Sequence, residues 1–230
     1  MFWRLFNIRI IIISILVSGF IVAQGFLHNM DGEVVDGNGE PILLRGFGLG
    51  GWLVPEGYML HNQAWIEGFE SPTDIENHVI DLIGQDEANE FWELYRANYV
   101  AQADIDKIAE WGFNHIRVPF HYKQFYDSTG TETPIGYAIV DELITWCQPH
   151  NIYIILDMHC APGAQNGGPI SDSDGIARLW LEDSYKELTI QIWKEIATYY
   201  ADHTLIAGYD LINEPVLPSG VSLEEFKQLY

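Results

Sequence analysis

Three segments limit the fold more than anything else in the chain. FNHIRVPF (113–120), IYIILDMH (152–159) and LIAGYDLINEP (205–215) are short, almost wholly apolar runs. Helix-patterned stretches separate them at YAIVDELITWCQPHN (137–151) and DSYKELTIQIWKEIATYYADH (183–203), the second with Leu188, Ile192 and Ile196 at spacings of four. A strand apolar on both sides must be covered on both faces, which an antiparallel sheet with one wet face does not require. The alternation therefore predicts a parallel sheet covered by helices.

The flanking segments extend the rhythm. FLHNMDGEVVDGNGEPILL, with Asp31-Gly32 and Asp36-Gly37-Asn38-Gly39, reads as a small β-hairpin, and Ile42 to Phe47 as a first buried strand. Ser71-Pro72-Thr73-Asp74 has the form of an N-cap, a first-turn proline and a capping-box acid, and Gly84 marks the end of that helix. Helical period continues over 86–99 and 101–111, the latter with Ile105, Ile108 and Trp111 on one stripe, and Ser222 with Glu225 caps a last helix.

The amino terminus is set apart. Arg4 and Arg9 precede an apolar run from Ile10 to Val22, short of the about 20 residues of a membrane span. With the small residues Ala23 and Gly25 beyond it, residues 1–25 read as a secretory signal, an uncleaved anchor being the alternative. An exported (extracellular, cell-surface or periplasmic) location is expected, with no stable membrane partner after cleavage. Cys147 and Cys160 fall at opposite ends of one strand, roughly 25 Å apart, so two free thiols are expected. The 33 acidic and 11 basic residues give a net charge of −22, which argues against a nucleic-acid partner and suits neutral or cationic partners.

Polar residues sit at the ends of the apolar runs: Arg117 in the first, His159 in the second, Asn213 and Glu214 in the third. Parallel α/β folds place their chemistry at the carboxyl ends of strands, where loops converge. Taken singly, Arg117 could be a structural ion-pair partner and Asn213-Glu214-Pro215 a turn. His159 could be a core histidine, or with Asp157 half of a metal site, since residues two apart on a strand share a face. No further cluster of ligand spacing supports a metal. His115 shares a face with Arg117 one layer deeper and reads as core.

In this order RGFGLGGWL, FNHIRVPF, DMHCAPGAQNG and YDLINEP resemble the first four strands of glycoside hydrolase family 5, and DMHCAPGAQNGG is most similar to its β-1,3-glucanase and related β-glucanase branch. The resemblance covers residues 26–230. It implies a (β/α)8 barrel, of which about four β/α units are present here after the hairpin. It also implies a secreted retaining β-glucan hydrolase, a monomer when complete and without cofactor or metal. Carried over by position, Glu214 is the general acid/base, Asn213 holds the 2-hydroxyl, Arg117 orients the nucleophile and His159 contacts the sugar. Trp52, Gln165 and Asn166 would line the groove. Gly48 departs from the asparagine that many relatives carry. The family's nucleophile is a glutamate on strand seven; Asp210, about 13 Å below Glu214 by strand rise, cannot replace it, so the chain reads as an N-terminal half, inactive alone. A non-catalytic glucan-binding or decayed enzyme relative, and a metal-dependent hydrolase using Asp157 and His159, are the competing classes.

Overall fold

The computed structural model describes residues 25–60, 68–127 and 130–230, so apart from Gly25 the expected signal segment lies outside the described residues. Strands β1 (His28–Met30) and β2 (Glu33–Val35) pair antiparallel, as the hairpin reading expected. Asp31 and Gly32 both take positive φ (54° and 89°), the primed turn that matches the twist of a two-residue hairpin.

The main sheet is parallel, in the order β3 (Gly46–Gly48), β4 (His115–His121), β5 (Tyr153–Cys160) and β6 (Ile206–Asp210). Helices α5 (Ile135–Cys147) and α6 (Asp183–Tyr199) connect its later strands. Ile116, Val118 and Phe120 of β4 and Ile154, Leu156 and Met158 of β5 alternate onto one face, none more than 1% exposed. Each such burial contributes about 1.5–3 kcal/mol, and together they fix the register against a one-residue slip. The opposite face carries Arg117, Asp157, His159 and Asp210, which strand period 2 brings together at the carboxyl end.

Between β3 and β4 lie α1 (Gly57–Leu60), α2 (Pro72–Ile83), α3 (Gln85–Tyr99) and α4 (Gln102–Glu110). The capping box at Ser71 and Asp74 forms as the sequence predicts, and so does the one at Ser222 and Glu225 that opens α7 (Leu223–Leu229). Cys147 and Cys160 are both buried free thiols.

Three expectations are corrected. The first strand is Gly46–Gly48, not Ile42 to Phe47. Asn114 intercepts the chain before the ladder begins, accepting from the Arg45 N–H (2.7 Å) and donating to the Leu43 carbonyl (2.9 Å). Gly46 is required where it stands, because a Cβ there would collide with the His115 carbonyl. Trp111, expected on a buried stripe, lies just past the end of α4 and is 59% exposed, while Ile105 and Ile108 are buried. The last strand ends at Asp210, not at Pro215.

The long segment after β5 is anchored by one buried carboxylate. Asp172 Oδ2 accepts from His121 Nε2 (2.9 Å), Lys123 Nζ (3.1 Å) and Thr73 Oγ1 (2.7 Å), and Oδ1 from the Thr73 N–H (2.8 Å). His121 Nδ1 accepts from the Lys123 N–H, which leaves the proton on Nε2. Burial keeps His121 below its ordinary range. Burial alone would raise the Asp172 carboxyl, but the bond from His121 and the charge of Lys123 hold it far below its usual 3.8. A depressed carboxyl adds stability above about 4 that is lost as pH falls toward its folded value. Asp172→Ala is expected to lower the unfolding free energy by about 3–5 kcal/mol in urea titration at pH 7. A loss below about 1 kcal/mol would mean this cluster behaves like an exposed ion pair.

Candidate active site

The site is built on the polar face of β4, β5 and β6 and closed by the loops that follow. Arg117 Nη2 pairs with Asp157 Oδ2 (2.9 Å) and Asp210 Oδ2 (2.8 Å), and donates to Asn213 Oδ1 (2.9 Å). Asp157 and Asp210 are register partners on adjacent strands, so the guanidinium stands where two carboxylates would otherwise repel. Because Asn213 Oδ1 is taken by Arg117, its amide NH2 is turned toward His159 and the cavity.

His159 is held at both ring nitrogens. Nδ1 donates to Asp157 Oδ2 (2.7 Å) and Nε2 to Glu56 Oε1 (3.1 Å). Burial alone would lower its pKa, but the bonds to Asp157 and Glu56 outweigh it and raise the imidazole to about 9. With both nitrogens engaged by carboxylates, His159 presents neither to a metal in this arrangement. Burial pushes the Asp157 carboxyl up against the pull of His159 and Arg117. Glu56, 2% exposed, also receives the Tyr58 hydroxyl; burial first, then the Glu56 and Glu214 charges, push that phenol up to about 12.

Beyond β6 the chain bends through Ile212, Asn213 and Glu214. The Asn213 N–H donates to the Met158 carbonyl (3.1 Å), which sets this turn directly above β5. Glu214 has φ 44°, a left-handed backbone that is uncommon outside glycine and marks an imposed conformation. Two residues impose it. Gln165 Nε2 donates to the carbonyls of His159 (2.6 Å) and Asn213 (2.9 Å), and its own carbonyl accepts from the Val216 N–H (3.1 Å). Asn166 Nδ2 donates to the Glu214 carbonyl (3.0 Å). The result is a buried Asn213 beside an exposed Glu214 carboxylate.

Glu214, Asn213, His159, Arg117, Glu56 and Tyr58 line one cavity of about 460 Å3, floored by Gly48, Gly50 and Gly51. Gly48 is opposite Arg117 in register, and nothing lies within 4 Å of where its Cβ would be, so the missing side chain leaves open space. The structure thus brings Glu214, Asn213, Arg117 and His159 together. It does not bring Trp52 to them: the indole is 3% exposed in the core and donates to the Arg96 carbonyl (2.8 Å). Gln165 is fully buried behind the turn, and Asn166 borders only a neighbouring hollow that Glu214 also lines. Their expected place on the groove surface is replaced by a place beneath it. Glu56 escaped sequence reasoning because a lone acid in a glycine-rich loop carries no periodic signal; only its position after an apolar strand end could have marked it.

The folded His159 keeps its proton up to about 9, against 6.5 for an ordinary imidazole. A raised pKa of this kind contributes stability that is fully present below about 6.5 and lost as pH rises through about 9. Urea unfolding of the native chain should therefore show a fall in stability between pH 6.5 and 9 that His159→Gln removes. An unchanged pH slope in that variant would contradict the imidazolium.

A model of the cellulase family (glycosyl hydrolase family 5) matches residues 73–228. The β-xylosidase of Phanerodontia chrysosporium is 35% identical over 190 residues, 81% of this chain and 38% of that protein. A probable glucan 1,3-β-glucosidase A of Aspergillus niger is 28% identical over 189 residues, 82% of this chain and 45% of that protein. The chain thus spans less than half the length of these curated relatives. Among solved structures, the rutinosidase from Aspergillus niger matches with a TM-score of 0.63 at 23% identity, over 75% of this chain and 49% of that one, a likeness of fold. By the family model and by the identity to the β-xylosidase, the chain belongs to the cellulase family, glycosyl hydrolase family 5.

Proposed function

We propose that this cavity is the acid/base half of a retaining β-glycosidase site that acts on β-glucan or a closely related β-linked glycoside. The observation that carries the reading is the imposed turn at Asn213-Glu214, which exposes one carboxylate beside a donor amide over a cavity lined by charged and hydroxyl-binding groups. A glycosidic oxygen leaves poorly unless an acid protonates it, and in this reading Glu214, exposed to the cavity, supplies that proton. The Asn213 amide is oriented as a donor to a sugar hydroxyl. The Glu56 carboxylate, oriented by its bond from His159, and Tyr58 complete a set suited to a polyhydroxylated ring.

Retention requires a second, ionised carboxylate about 5–5.5 Å from the first. Glu56, Asp157 and Asp210 are each engaged by His159 or Arg117. The reading takes the nucleophile from a strand beyond these four, in a (β/α)8 barrel whose first half is residues 26–230. Arg117 then stands beside that carboxylate and favours its ionised form. With residues 1–25 as a leader, the enzyme is exported and works as a monomer. The β-xylosidase and glucan 1,3-β-glucosidase names of the relatives support a β-linked sugar substrate.

Two outcomes follow. The 230-residue chain alone releases no reducing sugar from laminarin; release abolished by Glu214→Gln would contradict the missing nucleophile. In an enzyme extended to carry the second carboxylate, Glu214→Gln lowers kcat/KM on alkyl β-glucosides by about 10²–10⁴-fold. The loss is far smaller for 2,4-dinitrophenyl β-glucoside, whose leaving group needs no proton. Equal losses on both substrates would remove Glu214 from the acid role.

A further inference from the structure

Among the described residues, Asp157 is the one fully buried carboxylate at the site, 0% exposed on the polar face of β5. A single oxygen does all its visible work. Oδ2 accepts from His159 Nδ1 (2.7 Å) and pairs with Arg117 Nη2 (2.9 Å), while Oδ1 has no hydrogen-bond partner. A buried carboxylate with half its acceptor capacity unused is a poor way to gain stability; an apolar residue of similar volume is often as good or better. Position accounts for it better. Arg117 and His159 lie on adjacent paired strands, line the same cavity and both carry positive charge, so an anion between them offsets their mutual repulsion.

We propose that Asp157 is a positioning residue: its buried carboxylate joins Arg117 and His159 through one shared oxygen and fixes both cations toward the cavity as a single ionic unit. The coupling extends outward at both ends. On the histidine side it reaches Glu56 and then Tyr58, in the segment after β3; on the arginine side it reaches Asp210 on β6 and Asn213 in the turn beyond. Glu214 faces the same cavity. Four consecutive strand ends are thereby coupled, and the element that couples them touches no part of the cavity itself. Its catalytic meaning rests on the glycosidase reading above, but the coupling does not.

The test uses the 230-residue chain labelled for NMR, following the ring of His159 through a pH titration and the exchange of the Arg117 Nη2 protons, which face both Asp157 and Asp210. Asp157→Asn should lower the His159 midpoint by roughly 1–3 pH units and quicken Arg117 exchange in the same variant. Asp210→Asn should quicken Arg117 exchange and leave His159 in place. Glu56→Gln should lower the His159 midpoint less and leave Arg117 unchanged. A merely structural residue would not move both probes; if Asp157→Asn shifts one of them or neither, the proposal is overturned. Should Asp157→Asn fail to fold, Glu56→Gln decides: with Asp157 still in place the His159 midpoint must stay above its ordinary 6.5, and a fall to or below that value overturns the proposal. Binding of methyl β-glucoside, measured in parallel, separates the two ideas. Coupling without sugar binding would count against the glycosidase reading and leave the positioning role standing.

Discussion

One guanidinium holds the carboxyl end of this sheet together. Arg117 rises from β4 and meets Asp157 on β5, Asp210 on β6 and Asn213 in the turn beyond. Register places Asp157 and Asp210 side by side, and adjacent strands lie about 4.8 Å apart. At an effective dielectric of 20, two bare carboxylates at that spacing would repel by about 3 kcal/mol before solvent screening. Arg117 turns that repulsion into attraction, and the arrangement of His159 and Asn213 follows from it. The apolar face behind supplies stability; the ionic face supplies geometry.

The second constraint is the loop after β5. It is fastened at one end by Asp172, which ties it to His121, Lys123 and the start of α2. Near its start it spends the side chains of Gln165 and Asn166 on the backbone of Asn213 and Glu214. A left-handed glutamate is held in place by two amides contributed from a different strand-end loop. The exposed Glu214 carboxylate is therefore presented by a turn whose backbone is fixed from a neighbouring loop.

Much of this was legible in the residues. Apolar runs at regular intervals gave the parallel order β3-β4-β5-β6, and the Ser71 and Ser222 boxes formed as written. The co-location of Arg117, His159, Asn213 and Glu214 followed from strand ends alone. What stayed hidden depends on contacts distant in the chain. Asn114 shortens the first strand by bonding to backbone about 70 residues earlier, as the separation in its hydrogen bonds shows. The β6 ladder stops at Asp210 because the next residues turn over β5 to reach the Met158 carbonyl. Gln165 and Asn166 look like groove residues in a polar loop, yet their amides are consumed by a turn 48 positions on. Trp52 looks like a sugar platform until its indole N–H is seen to donate inward to Arg96.

The central proposal is that Glu214 as acid/base and Asn213 as a sugar-binding amide are held facing the cavity by the ionic face beneath them. It is tested most directly by the crystal structure of the chain soaked with a glucose-configured aza-sugar, 1-deoxynojirimycin. The expected result is a ring seated over the glycine floor with its basic nitrogen within hydrogen-bond reach of Glu214, a hydroxyl on the Asn213 amide and another on the Glu56 carboxylate. A ligand seated elsewhere, with the Glu214 carboxylate turned to solvent and Asn213 unbound, would contradict it.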